Sequence, residues 1–254
     1  MDQIFGLARN LCKGNKFCEK VAQKMLGTIT HFNTKDSIAA LTFDDGPHPK
    51  FTPKLLDILN RHQAHATFFM LGEAAFRYPD LVKRVAEAGQ AIGNHSYSHP
   101  SFVLIPGHER RRQIRECQKA VSPYGSRIFR PPHGHQSLSS RLDALRLRYP
   151  VVTWSVASQD WATIDVQGIV DRLESQIRPG CIILLHDAIH WIRETKNNDR
   201  SFMLEAVDKF LTQIGDRFRF ITLPEMFRQA RPQKRNWYSY PDSMMLEKIK
   251  QTQE

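Results

Sequence analysis

The sequence predicts an α/β fold: short strands alternate with helices about seven times in a single domain, giving a distorted (β/α)7-8, TIM-like barrel. Two observations carry this reading. After residue 36, apolar runs rich in β-branched and aromatic residues alternate with longer segments of helical periodicity. The length of 254 residues and an apolar content of 41% suit one sizeable core in the size range of single-domain barrels.

The first unit joins a strand over 37–43 to a helix over 52–61, where Leu55, Leu56, Ile58 and Leu59 mark one face. A strand over 65–71, with Phe68 and Phe69, precedes a helix over 79–88 that opens on Pro79 and stops at Gly89. Strands over 90–94 and 127–129 are followed by helices over 108–121 and 139–148. Strands over 151–156 and 181–185, both rich in Val, Ile and Leu, are followed by helices over 166–177 and 202–214, and a strand over 218–222 ends the series. Connections of this length imply parallel strands.

Two ends stand outside the pattern, so the domain is expected over residues 36–230. Residues 1–35 carry Ile4, Leu7, Leu11, Cys18, Val21 and Met25 at helical spacing among lysines, a basic helical extension. It either packs over the barrel, which its small apolar residues favour, or makes weak contact with an anionic membrane surface. Residues 231–254, polar and interrupted by Pro232 and Pro241, read as a loosely packed tail.

The 36 Lys+Arg against 26 Asp+Glu give +10 and a preference for acidic partners, without choosing among nucleic acid, anionic lipid and anionic polymer. A nucleic-acid-binding motif is absent, so nucleic acid is not the expected partner. The run Arg110-Arg111-Arg112 reads as a solvated helix face. The cysteines Cys12, Cys18, Cys117 and Cys181 show neither a CxxC pair nor metal-ligand spacing, which points to a reducing compartment. Met1-Asp2-Gln3-Ile4 does not open a secretory leader and no apolar stretch is long enough to span a bilayer, so the expected location is the cytoplasm. The oligomeric state leaves no signal.

Unusual polar residues fall just past the strand ends. Asp44-Asp45-Gly46-Pro47 follows the first strand, His95 and His99 the third, Arg130-Pro131-Pro132 the fourth, Asp160-Trp161 the fifth and His186-Asp187 the sixth. In parallel barrels that face holds the active site, so five distant segments converge on one cavity.

His95 and His99 stand four residues apart, and one turn or a tight loop aims both at one ion. The pair alone is a weak signal. Asp44-Asp45 strengthens it, because one carboxylate can complete a two-histidine, one-carboxylate shell while the other stays free as a base. Such a shell keeps positions open for water and substrate, the mark of a catalytic metal. Zinc is the first expectation for this one divalent ion, with cobalt or nickel able to substitute. Departure of an amine needs a proton donor, for which His186 is the natural candidate.

In motif order and spacing, the chain resembles the NodB-homology polysaccharide deacetylases, carbohydrate esterase family 4, over residues 37–226. Thr42-Phe43-Asp44-Asp45-Gly46-Pro47 resembles the first motif, implying Asp44 as catalytic base and Asp45 as metal ligand. His95-Ser96-Tyr97-Ser98-His99 resembles the second, supplying both histidine ligands. Arg130-Pro131-Pro132-His133-Gly134 resembles the third, whose arginine holds the catalytic carboxylate and whose backbone N–H after the prolines helps to bind the oxyanion. Asp160-Trp161 resembles the fourth, the aspartate tuning the acid and the tryptophan walling the site. Leu184-Leu185-His186-Asp187 resembles the fifth, implying His186 as general acid and Leu184 beside the acetyl methyl.

Two departures stand out. His133 occupies a place where many members carry tyrosine, which alters the groove lining, and Ala157 replaces an aspartate that would add an anchor to the acid network. The resemblance implies removal of N-acetyl groups from N-acetylglucosamine in chitin oligosaccharides or a peptidoglycan-type glycan. Alternatives are hydrolysis of another amide, such as a formamido sugar or a cyclic ureide, and a carbohydrate-binding pseudoenzyme; retention of all the named polar residues weighs against the last.

Overall fold

The computed structural model describes residues 26–190, 199–236 and 239–241. Strand β2 (Ile38–Asp44) is buried along its whole length, as expected of a central parallel strand covered on both faces. It pairs in parallel with β3 (Ala66–Met70) and β7 (Ile182–His186), and β8 (Arg219–Phe220) pairs with its first residues. The sheet runs outward through β4 (Ala91–Asn94) to β5 (Gly125–Phe129) on one side and through β7 to β6 (Val156–Ala157) on the other. Val151 bridges Phe129 while Val156 pairs with Ile183, so the segment 151–157 reaches from one edge towards the other and curls the sheet into a distorted barrel.

Helices α1 (Phe51–Arg61), α3 (Pro79–Glu87), α4 (Gly107–Ala120), α5 (Leu138–Arg146), α6 (Val166–Gln176) and α7 (Ser201–Ile214) lie where the periodicity places them. Pro79 begins α3, and Gly89 follows its end with φ +75°, a left-handed conformation that glycine adopts without strain. On β2, Ala39, Leu41 and Phe43 join the core beneath the helices, with Phe68, Met70, Ile183 and Leu185 from the neighbouring strands. Ile38 and Ala40 belong to the second core, with Phe69, Ile128 and Ile182. The period of two therefore puts Thr42 and Asp44 on the inner face, and likewise Leu184 and His186, which follow Ile182 at alternate positions along β7. In register Asp44 stands opposite His186, and Asn94 opposite Phe129.

Several elements depart from the sequence pattern. Residues 28–33, assigned above to the helical extension, form strand β1 (Thr28–Asn33), paired antiparallel with β9 (Arg231–Arg235), which the sequence placed in a loose tail. Ile29 and Phe32 bury in the inner core, and Ile29 N–H and Phe32 N–H donate to the carbonyls of Val151 and Gly180 at 2.9 and 2.8 Å. β1 and β9 lie about 200 residues apart, so neither shows a local hairpin signal. The apolar spacing from Ile4 to Met25 lies outside the described residues. Helices α2 (Gly72–Arg77) and α8 (Leu223–Gln229) were not expected, although Thr222 and Glu225 form a capping box that the sequence spells out. Arg110 is not on a solvated face: it is buried and donates to Asp143 Oδ2 at 2.8 Å and to the carbonyl of Ile105 at 2.7 Å.

Candidate metal and active site

All five motifs meet at the C-terminal ends of the strands, as the sequence implied. Asp45 follows β2 and His95 follows β4; Asp45 and His99 are held at φ +73° and +60°. Left-handed backbone in such residues costs energy and clusters at sites where the surrounding structure enforces it. Gln113 of α4 enforces it here by accepting from the backbone N–H of both Tyr97 and Ser98 at 2.9 Å.

The ligand atoms of Asp45, His95 and His99 lie within 4.8 Å of one another, and all three residues are buried. Asp45 Oδ1 is 3.4 Å from His95 Nε2 and 3.2 Å from His99 Nε2. His95 Nδ1–H donates to the carbonyl of Arg130 at 2.8 Å, which fixes the tautomer and turns the Nε2 lone pair towards Asp45. Buried Asp45 Oδ1 has no hydrogen-bond donor, while Oδ2 accepts from His190 N–H at 3.1 Å. Burial would raise the Asp45 carboxyl, but the two imidazoles overcome it and hold the group well below the usual carboxylate range. Burial lowers His99 from its ordinary value against the pull of Asp45, favouring the neutral, ligating form. An anionic oxygen without a donor and two imidazole nitrogens at one point fit a divalent cation.

Asp44 Oδ1 accepts from Arg130 Nη1 at 2.6 Å. Arg130 is fully buried, donates further to Thr42 Oγ1 at 2.8 Å and the Thr153 carbonyl at 2.9 Å, and lies over the Phe69 ring at 4.1 Å. Burial works against its charge and Asp44 compensates it.

On the neighbouring strand His186 Nδ1 donates to Asp160 Oδ1 at 3.0 Å, and His186 N–H to Asp160 Oδ2 at 2.9 Å. Ser158 Oγ donates to Asp160 Oδ1 at 2.8 Å, and Arg200 donates to Oδ2. Burial alone would lower His186, but Asp160 prevails and raises it above its ordinary 6.5. Trp161 sets its ring edge-on to the imidazole at 5.3 Å.

A family model described as polysaccharide deacetylase matches residues 31–152. A peptidoglycan-N-acetylglucosamine deacetylase of Bacillus cereus is 38% identical over 200 residues, covering 77% of this chain and 70% of the relative. The chain belongs to the polysaccharide deacetylase family. A chitooligosaccharide deacetylase of Sinorhizobium fredii is 35% identical over 208 residues, covering 79% of this chain and 96% of that protein. Among solved structures, the Bc1960 peptidoglycan N-acetylglucosamine deacetylase superposes with a TM-score of 0.74 at 33% identity, covering 84% of this chain and 98% of that one.

In this polysaccharide deacetylase His133 lies with its ring 4.4 Å from that of His99, at φ +58°. Leu184 is buried on the inner face of β7. Three residues at the site escaped the sequence reading. His190 and His135 stand outside the five motifs, yet the first donates its backbone N–H to Asp45 and the second sits against His133 at 5.1 Å. Arg200 had no motif around it, and only its burial, 1% exposed, sets it apart from the chain's many other cations. Asp187 is buried beneath Gly46, where a Cβ would strike its carboxyl; it accepts from Thr52 Oγ1, and burial pushes it up to about 7. No helix among the described residues is long and apolar enough to cross a membrane.

Proposed function

We propose that the chain is a metal-dependent hydrolase that removes acetyl groups from N-acetylglucosamine units of a glycan, of the chitin-oligosaccharide or peptidoglycan type. The observation that carries this reading is Asp45 Oδ1, buried without a donor and facing two imidazole nitrogens, at the same end of the sheet as the Asp44–Arg130 and Asp160–His186 pairs. The relatives that match over 77% and 79% of this chain carry the names of deacetylases of such glycans.

Asp45, His95 and His99 would hold the cation, zinc by the borderline character of two nitrogens and one oxygen, with cobalt or nickel as substitutes. When bound, it supplies Lewis acidity towards water and the amide carbonyl. Asp44 accepts the proton of the attacking water, and its carboxylate is held for that task by Arg130. His186, protonated through its pairing with Asp160, donates a proton to the departing amine nitrogen. The backbone N–H at His133 is assigned to the developing oxyanion, and Trp161 and Leu184 to the walls around the acetyl group. The buried free thiols Cys117 and Cys181 suit the reducing, cytoplasmic setting, which is part of the same proposal.

The test is mass spectrometry of chito-oligosaccharides and muropeptides after incubation with zinc-loaded protein. Loss of an acetyl group from one set assigns the substrate class; no loss from either refutes the proposal.

A further inference from the structure

Arg200 lies outside the five motifs, immediately before α7, yet it is among the most buried side chains of the molecule. Its guanidinium donates from Nη2 to Asp160 Oδ2, from Nη1 to the Asp160 carbonyl at 3.0 Å, and from Nε to the His186 carbonyl at 3.1 Å. One planar fork therefore ties the loop after β6 to the last residue of β7. The fork is itself held. Ser201 N–H and Oγ both donate to Asp199 Oδ1, at 3.0 and 2.6 Å, and Met203, Ala206, Val207 and Phe210 lock the following helix into the core.

We propose that Arg200 is a positioning residue for proton transfer: it fixes the Asp160 carboxylate so that His186 is presented to the leaving group in one orientation. This rests on the reading of His186 as the proton donor. Two buried arginines then divide the work of the site. Arg130 compensates and aims the carboxylate of the base, Asp44, while Arg200 compensates and aims the carboxylate of the acid, Asp160. Asp44 and Asp160 each have their own arginine, so neither carboxylate draws on the other's partner. On the acid side the anchor of Asp160 comes from Arg200, the residue before α7. Lysine cannot replace this arrangement, because an ammonium is a point donor without the fork that reaches both carbonyls and the carboxylate.

The experiment compares metal-loaded wild type with Arg200→Ala, Arg200→Lys and Asp160→Asn on a chito-oligosaccharide. A small misplacement of a catalytic group costs on the order of 100-fold, so Arg200→Ala is expected to lower kcat about 100-fold. KM stays within about threefold, since the loss lies in the transition state. Guanidinium ion at millimolar concentration restores part of the rate, and Arg200→Lys remains impaired. In the Asp160→Asn background, removing Arg200 costs little more, because it acts through that carboxylate. Histidine nitrogen NMR, with His186 assigned by comparison with His186→Gln, shows the Nδ1–H bond to Asp160 in the wild type and its loss in Arg200→Ala.

A folded Arg200→Ala protein with kcat within twofold of wild type overturns the proposal, as does an equal loss in the Asp160→Asn background. If Arg200→Ala does not fold, Arg200→Met in Asp160→Asn removes both charges together, and its rate against Asp160→Asn alone decides in the same way. Should the wild type deacetylate no glycan, the proposed function fails, and the NMR comparison still decides the role of Arg200.

Discussion

Replacing Asp44 by asparagine removes one negative charge from a place where the structure allows its cost to be worked out. Arg130 keeps Thr42 Oγ1 and the Thr153 carbonyl, and the asparagine oxygen can still accept from Nη1. What disappears is the compensating charge beside a fully buried guanidinium. Breaking a buried ion pair costs about 3–5 kcal/mol. A Coulomb interaction at about 4 Å in a medium of effective dielectric about 20 gives about 4 kcal/mol. The retained hydrogen bond favours the lower half of that range. At about 2–4 °C per kcal/mol for a domain of this size, the melting temperature of Asp44→Asn should fall by about 6–16 °C. Turnover should fall about 10²–10⁴-fold, because the water's proton has lost its acceptor. Bound metal should stay near wild-type stoichiometry, since Asp45 and both histidines are untouched. The assay combines thermal melts, metal analysis and mass spectrometry of a substrate that the wild type cleaves. Near-normal turnover would refute the role of Asp44 as base, and an unchanged melting temperature would refute the energetic account of the Arg130 pair.

Other outcomes follow from the same geometry. Folded His95→Ala and His99→Ala proteins should each lose the bound ion; undiminished metal content would remove Asp45, His95 and His99 as its ligands. Because His186 is raised above 6.5 by Asp160 and must be protonated to act, activity should decline only as pH rises through a value above 6.5. The stability contributed by this pair has the same sign: it is present below 6.5 and is lost as pH climbs through the folded value. Asp160→Asn leaves burial opposed only by the lesser pull of Asp45 and Asp44 and should move the alkaline limb of the rate profile to lower pH; an unmoved limb would exclude His186 as the titrating acid. Phe32→Ala should cost about 3–5 kcal/mol in a denaturant titration, since the ring is 1% exposed and packs edge-on against Phe227 at 5.1 Å; a loss below about 1 kcal/mol would show that β1 is not part of the cooperative core.

The sequence by itself determined the parallel α/β alternation and the residues that gather at the strand ends. Both are encoded locally. Periodicity tells a buried strand such as IAALTFD from a helix such as FTPKLLDILNR, and a residue that follows a parallel strand must lie at the same end of the sheet as its counterparts. Asp44, Asp45, His95, His99, Arg130, Asp160 and His186 were therefore legible before any fold was at hand, as was the termination of α3 at Gly89. The tertiary structure decided what depends on contacts remote in sequence. β1 and β9 pair with each other across about 200 residues, and β1 bonds as well to the segments at Val151 and Gly180, so TITHFN or RPQKR alone does not reveal either strand. Arg110 and Arg200 are buried only because Asp143 and Asp160 wait for them on other elements, whereas a cation in an isolated stretch of sequence defaults to the surface. The left-handed turn at His99 and its support by Gln113 likewise arise from packing, since positive φ is uncommon for any residue but glycine and Gln113 reaches this turn from another element. Local patterns fix which chemistry the chain carries, and long-range burial fixes which groups hold that chemistry in place, because the free energy of burying a charge exists only once its partner arrives.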